Sequence, residues 1–297
     1  MQQKIRDLLK KRKAILLAHN YQPGEIQDVA DLTGDSLELS IRASKTDAEV
    51  IVFCGVHFMA ETACILCPDK PVLLPRTDAG CPMADMITAE SLKQRLSELP
   101  PMPVVTYVNS SAAVKALSTI CCTSANVVKV ANSVDHHEML MTPDRNLALF
   151  AADRTDKTIH IWDGCCPYHN AVKPEDVTAA RMAHPDALFM AHPECPPDVL
   201  AMADVIHSTS GMIRFAMESD AQSFIVGTET GLLHGLAKAC PDKRFYPVSL
   251  KLECAEMKKI TLEDIVRSLE NLDGRVTVPE DIRRSALSSV QRMIDLA

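Results

Sequence analysis

Aromatic residues are scarce in this chain, only 4% of 297 positions, with a single tryptophan. Ring stacking is therefore not the main source of its core, and the 14 methionines point to aliphatic layers instead. Glycine is also sparse, at 10 residues, and no Gly-x-Gly-x-x-Gly occurs, so the fingerprint of a dinucleotide-binding βαβ unit is missing. No apolar run approaches the roughly 18 residues that a membrane helix needs. A basic excess is absent too. The net charge is −8, and no face of clustered Lys and Arg emerges, which argues against a nucleic-acid partner. An anionic small molecule stays compatible, because helix N-termini bind anions inside acidic proteins. The first residues, "MQQKIRDLLKKRKAILLAHN", carry basic groups but no small-residue cleavage site. They read as a short amphipathic helix running into a strand, not as a signal peptide.

What the sequence does contain is a globular balance, 47% hydrophobic and 24% charged. Its length suggests about two domains, or several small ones tightly packed. Eleven cysteines, an odd number without a secretory signal, fit a reducing cytosol. Such thiols divide into buried small hydrophobes and metal or catalytic groups. The stretch "WDGCCPYHNA" (162–171) sets two of them side by side in a Gly-Pro turn. Neighbouring cysteines make strained disulfides, and zinc sites space their cysteines more widely, so one of this pair could be a ligand with distant partners.

Short apolar runs recur: "AILLAHN" (14–20), "EVIVFCG" (49–55) and "KPVLLP" (70–75). "PVVTYVN" (103–109), "NLALFAAD" (146–153) and "TIHIWD" (158–163) form a second set. "ALFMAHP" (187–193), "SFIVGTE" (223–229) and "RFYPVS" (244–249) form a third. Helix-like stretches such as "TAESLKQRLSEL" and "GLLHGLAKAC" lie between them. The alternation predicts an α/β protein with parallel sheets covered on both faces.

The three sets align. The first strand of each ends in a polar cluster: His19-Asn20-Tyr21, Tyr107-Val108-Asn109 and His192-Pro193-Glu194. Some 15 to 17 residues later comes a hydroxyl in a turn before a helix: Ser36, Ser124 and Thr209. The third run of each set leads into a loop with cysteine: Cys81, then Cys165-Cys166, then Cys254. Cys81 and Cys166 are 85 residues apart, Cys166 and Cys254 are 88 apart, as repeated supersecondary units require.

Ligands bind at the carboxyl ends of strands in open α/β sheets, so three such units around an axis would aim all these positions at one cavity. Three cysteines without a fourth in phase suit an iron–sulfur cluster with one iron free of protein ligands. Such an iron could act as a Lewis acid on a substrate hydroxyl or carboxylate. Zinc would also accept three cysteines, although it favours close-spaced pairs and histidines. The three hydroxyls would hold anions at helix N-termini, or serve as plain caps. His19, His192, Glu194, Tyr21, Tyr107 and His169 are the acid–base candidates. On the residues alone, an iron–sulfur hydro-lyase on another small hydroxy acid and a non-enzymatic redox sensor stay open, although a sensor would not need this polar set.

At these residues the chain resembles the quinolinate synthase family of NAD biosynthesis. "LAHNYQ", "GDS", "CPMA", "YVNS", "CTSAN", "PDRNL", "CPYH", "HPEC" and "GTETGLLH" match its motifs in order, over about residues 14 to 260. The resemblance implies three similar three-layer α/β/α domains, with parallel sheets, in pseudo-threefold arrangement around a [4Fe–4S] cluster. It implies condensation of iminoaspartate with dihydroxyacetone phosphate to quinolinate, phosphate and water, functionally coupled to an aspartate-oxidising enzyme. Cys81, Cys166 and Cys254 carry over as cluster ligands, the Cys-Pro-x-His register selecting Cys166 over Cys165. Substrate contacts carry over to His19, Ser36, Tyr107, Val108, Asn109, Ser124, His192, Pro193, Glu194 and Thr209, with Tyr21 and His169 near the reacting atoms. The chain resembles the shorter members, ending at Ala297 without the terminal Cys-x-x-Cys-x-x-Cys of longer ones and their disulfide switch. Cys64 and Cys67, its only Cys-x-x-Cys, read as core residues. Expected domains are 1–84 with 255–297, then 85–168, then 169–254.

Overall fold

The computed structural model describes residues 1–297 and contains thirteen strands and fifteen α-helices. The strands are β1 (Ala14–His19), β2 (Leu32–Gly34), β3 (Val50–Cys54) and β4 (Val72–Leu73). Then follow β5 (Val104–Tyr107), β6 (Ile120–Cys122), β7 (Glu138–Thr142) and β8 (Thr158–Ile161). The last are β9 (Leu188–Ala191), β10 (Val205–Ile206), β11 (Ser223–Gly227), β12 (Arg244–Pro247) and β13 (Arg275–Val276). They form three sheets, ordered β13-β4-β3-β1-β2, β6-β5-β7-β8 and β10-β9-β11-β12. Within each set of four the pairing is parallel and the topology identical; only β13 runs antiparallel, against β4. This is a three-sheet α/β protein, as its apolar runs predict.

Continuous burial explains the parallel sheets. From Ile15 to His19 every residue of β1 is buried, and β3 is buried throughout, which suits strands covered by helices on both faces. The pleat of the third sheet sorts its side chains cleanly. Phe189, Ala191 and Ile225 pack on one face, while Met190, Phe224 and Val226 pack on the other. One continuous core joins the first two sheets, whereas the third keeps these two layers to itself.

Two features differ from the sequence expectation. The run 146–153 is not a strand but lies in a helix, Arg145–Ala152. Asp144 caps it, its Oδ1 accepting the Leu147 N–H at 2.8 Å, and Leu147, Ala148 and Ala151 face inward at helical spacing. The sheet position falls instead to β7, "EMLMT", whose methionines lack the β-branched mark of a strand. Each set also has a short second strand of two or three residues, too brief for a periodic signal.

The C-terminal segment does more than complete the first unit. Helix Leu262–Asn271 receives Arg12 Nε on the Leu269 carbonyl at 2.9 Å. Helix Glu280–Asp295 spans both first and second units. Its Ser289 hydroxyl donates to the Lys115 carbonyl at 2.8 Å, and Asn126 Nδ2 donates to the Met293 carbonyl at 3.1 Å. Arg283 reaches the Ile65 carbonyl at 3.4 Å on the other side. Met293 is fully buried where the two meet. Met293→Ala should therefore cost about 2–5 kcal/mol in urea unfolding, as large-to-small core changes do. A loss no larger than that of Met182→Ala, a side chain 80% exposed, would show that this helix carries no core.

Candidate active site

The first strands of the three sheets end side by side with the second strands: His19 pairs Gly34, Tyr107 pairs Cys122, and Ala191 pairs Ile206. The chain leaves all three sheets into one partly open cavity, the kind of concave place that small-molecule sites occupy. From the first unit come His19, Tyr21, Ser36 and Cys81. The second supplies Tyr107, Asn109, Ser124 and Cys166, and His169 follows on the next helix. The third unit adds His192, Glu194 and Thr209, with Cys254 after its last strand. Two expected contacts fall elsewhere. The Val108 side chain is buried in the core, leaving only its backbone near the site. Pro193 lines a separate cleft with Phe150 and Ile206.

The hydroxyls are not the caps. Asp35 caps helix Ser36–Lys45 with its Oδ1, which accepts the N–H groups of Leu37 and Glu38, both at 3.0 Å. Ser208 caps helix Thr209–Glu218. Ser36 and Thr209 are thus the first helical residues, placed against the cavity, and Thr209 Oγ1 accepts Asn20 Nδ2 at 3.0 Å. Asn109 Oδ1 is buried with no hydrogen-bond partner in the protein, a state that costs about 1–3 kcal/mol unless a ligand completes it.

Two histidines share one local device. The Tyr21 N–H donates to His19 Nδ1 at 3.2 Å, and the Glu194 N–H donates to His192 Nδ1 at 3.3 Å. Each neutral ring then carries its proton on Nε2, as a donor. Burial, only partly opposed by Glu194, pushes both groups down to about 3, so they stay uncharged at neutral pH.

Glu194 lies at the centre. Burial pushes its carboxyl up, but His169 alongside, then His192 and the Tyr107 hydroxyl, outweigh it and hold it at about 2. His169 Nδ1 is 2.7 Å from Glu194 Oε2 and 3.1 Å from the Cys166 sulfur. On the far side of the ring, Nε2 is 2.8 Å from Thr228 Oγ1, which is 2.6 Å from the Tyr21 hydroxyl. Glu194, His169, Thr228 and Tyr21 thus form one unbroken hydrogen-bonded chain. Burial raises the phenols of Tyr21 and Tyr107 well above their usual range, so both hold their protons.

All eleven cysteines are free. Cys64 and Cys67 do not face each other: their thiols donate to the carbonyls of Val276 and Ala43, as core residues. Cys81, Cys166 and Cys254 alone among them line the cavity. Burial pushes Cys81 to about 12 and raises the other two, against backbone amides that pull each back. Buried thiols of this kind become thiolates when a metal takes the proton. The three fit a shared metal group. Cys166, His169 and Glu194 also lie within 4.8 Å of one another, but the His169–Glu194 hydrogen bond accounts for that closeness.

Sequence reasoning missed Asp144, Thr228, Glu229 and Lys258. Asp144 and Glu229 stand two residues beyond β7 and β11, and misplacing β7 hid their equivalence. Glu229 is buried and paired with Lys258 Nζ at 2.8 Å, and Lys258 also donates to the Tyr21 carbonyl.

Known proteins resemble this chain along its whole length. The family model described as "NadA: Quinolinate synthetase A protein" matches residues 3–295. The quinolinate synthase of Geotalea uraniireducens (strain Rf4) is 56% identical over 290 residues, covering 98% of this chain and 95% of the relative. That of Geobacter metallireducens is 56% identical over 294 residues, with 99% and 97% covered. "Quinolinate synthase 1" of Methanosarcina acetivorans is 53% identical over 291 residues, with 98% and 96% covered. No helix is long and apolar enough to cross a membrane.

The neutral histidines give a pH signature. An unfolded chain protonates them near pH 6.5, whereas the fold resists protonation down to about pH 3. Stability is therefore undiminished by them above pH 6.5 and falls on acidification, by about 1.4 kcal/mol per pH unit for each. Metal-free protein should lose about 3 kcal/mol to this pair between pH 6.5 and pH 5 in urea titrations. His19→Asn with His192→Asn should flatten that slope; an equally steep fall in the double variant would show that the rings are solvated.

Proposed function

The chain belongs to the quinolinate synthetase A protein family, and from that premise we propose that it is a quinolinate synthase. It condenses iminoaspartate with dihydroxyacetone phosphate to quinolinate, phosphate and water, in NAD biosynthesis. The observation that carries the reading is the convergence, in one cavity, of three thiols from three equivalent loops with a tyrosine-to-carboxylate hydrogen-bond chain. A redox sensor would have no use for that chain, and family membership displaces a hydro-lyase on another hydroxy acid.

Cys81, Cys166 and Cys254 would hold a [4Fe–4S] cluster. When bound, it supplies an iron without a protein ligand, able to polarise a substrate oxygen. Both substrates are anionic. The Nε2–H donors of His19 and His192 suit their oxygens without placing a cation beside them. Asn109, with its unpaired Oδ1, and the hydroxyls of Ser36, Ser124 and Thr209 surround the same space. The first turns of helices Ser36–Lys45 and Thr209–Glu218 add partial positive charge there. Val108 and Pro193 would then serve through their backbone and their spacing.

Proton movement follows the chain. Tyr21, held as a phenol, can give its proton to a leaving oxygen only if that proton is replaced; the Thr228 hydroxyl can pass its own to Tyr21 and take one from Nε2 of a His169 ring protonated on both nitrogens. Glu194, held ionised, fixes the His169 tautomer by accepting from Nδ1 and stabilises that ring when it is charged. The Tyr107 phenol also lies close to this carboxylate, which helps to keep that phenol protonated. Glu194 is thus a base or an orienting anion, not a proton donor at neutral pH. The cytosol, and an aspartate-oxidising enzyme as the source of the labile imine, complete the proposal.

Anaerobic protein supplied with both substrates should form quinolinate, and protein that holds iron and sulfide without forming it would refute the assignment. Replacing Cys81, Cys166 or Cys254 by Ser should abolish both the brown absorbance and turnover, while Cys165→Ser keeps most of each. A Cys165→Ser protein without iron, beside a loaded Cys166→Ser protein, would reverse that choice. The proton chain has its own test. Glu194→Gln and Thr228→Val should each keep the cluster and lower kcat by about 10²-fold or more, with Thr228→Ser restoring most of it. A fully active Thr228→Val enzyme would show that Tyr21 is reprotonated by another route.

A further inference from the structure

Each cysteine loop that lines the cavity has a backbone N–H taken by a carboxylate. The Cys166 N–H donates to Asp144 Oδ2 at 3.1 Å. The Cys254 N–H donates to Glu229 Oε1 at 3.1 Å. In the first unit the N–H of Gly80, just before Cys81, donates to Glu256 Oε2 at 2.7 Å. None of these carboxylates is free to swing. Asp144 Oδ1 caps a helix through the Leu147 N–H at 2.8 Å. Glu229 Oε2 accepts the Gly231 N–H at 2.7 Å, and Lys258 pairs with the same group. Glu256 is paired with Lys259 Nζ at 2.7 Å.

The pattern follows the repeat and then breaks it. Asp144 and Glu229 occupy the same place, two residues past the third strand of their sheets. The matching residue in the first unit is Val56, which has nothing to offer an amide. The missing carboxylate comes from a distant part of the chain, Glu256, two residues after Cys254. The loop of Cys81 is thereby held by the loop of Cys254.

Resting on the proposal that these cysteines hold an iron–sulfur cluster, we infer that Asp144, Glu229 and Glu256 are positioning residues for it. They set the three loops in register, and the carboxylates of Glu229 and Glu256 offset the positive charge of Lys258 and Lys259 behind the ligands. An amide committed to a carboxylate is not available to a cluster sulfur, and both effects disfavour adding an electron, since hydrogen bonds to sulfur and net charge set cluster potentials.

The test uses anaerobically prepared holoprotein carrying Asp144→Asn, Glu229→Gln or Glu256→Gln, with Glu280→Gln, an exposed carboxylate on the last helix, as the charge control. Iron release to a ferrous chelator and the midpoint potential in a dithionite titration are read alongside far-UV circular dichroism. Each variant should release iron about tenfold faster, as turning a charge-assisted hydrogen bond into a neutral one implies, and its potential should move upward. Glu280→Gln should change neither. Glu256 is only half-buried, so its variant decides the matter even where the two buried replacements fail to fold. A Glu256→Gln protein that folds, releases iron at the wild-type rate or keeps the wild-type potential would overturn the inference. Wild-type protein without iron and sulfide would instead overturn the cluster proposal on which it rests.

Discussion

A buried, ionised carboxylate is the constraint around which the site is arranged. Glu194 is buried, and its charge is held there chiefly by the His169 ring, with the Tyr107 phenol facing it as well. The two partners belong to different segments, the helix after Cys166 and the end of β5. Removing the charge would leave His169 without its Nδ1 acceptor, and Thr228 and Tyr21 without a fixed ring to bond. The carboxylate is held in turn through its backbone, whose carbonyl accepts Asn146 Nδ2 at 3.0 Å. The helix mistaken for a strand in the sequence thus supports the centre of the site.

One scaffold is used three times with different side chains. The positions that end the first strands carry His19, Tyr107 and His192, and two residues on come Tyr21, Asn109 and Glu194. In the first and third units a tight turn follows the strand, the Gln22 N–H on the His19 carbonyl and the Cys195 N–H on the His192 carbonyl, both at 2.9 Å, and both members of each pair line the cavity. In the first and third units the second member's N–H fixes the histidine's tautomer. In the second the place of the histidine is taken by a phenol and that of the acid by an amide. Equivalent backbone positions therefore yield proton donors, an acceptor and a hydrogen-bonding amide around one substrate, which three identical units could not do.

This explains what the sequence disclosed and what it hid. β1, β5 and β9 were legible because fully buried parallel strands are apolar without interruption and stop abruptly at polar groups. The cysteine spacing was legible because the same loop recurs. β7 was not, since "EMLMT" has helix-forming residues and earns its place through neighbours on both sides. Thr228 and Glu229 stood in plain view within "GTETGLLH", but a hydroxyl or carboxylate after a strand has no periodicity to mark it. Its role depends on which ring or amide tertiary packing brings near. Asn126 Nδ2, bonded to the Met293 carbonyl, is a further case: the chain separates them by 167 residues, and no local rule joins them.

The Cys-Pro-x-His spacing can now be given a physical reason. Cys166 stands just before helix Pro167–Asn170, with proline in the first turn, where its missing N–H costs nothing. His169 follows three residues after the cysteine, so one helical turn returns its ring to the same side, 3.1 Å from the sulfur. Cys165, one position earlier, has its N–H on Met86 Sδ at 3.3 Å and does not line the cavity. The Cys166 thiol and the His169 ring are thus fixed by the same short turn. Any movement of that turn shifts both at once. Asp144 holds the turn by the Cys166 N–H and caps the helix that carries Asn146. A single carboxylate outside the cavity therefore links the Cys166 thiol, the His169 ring and the backbone of Glu194, which is why the chemistry of the site cannot be separated from the packing behind it.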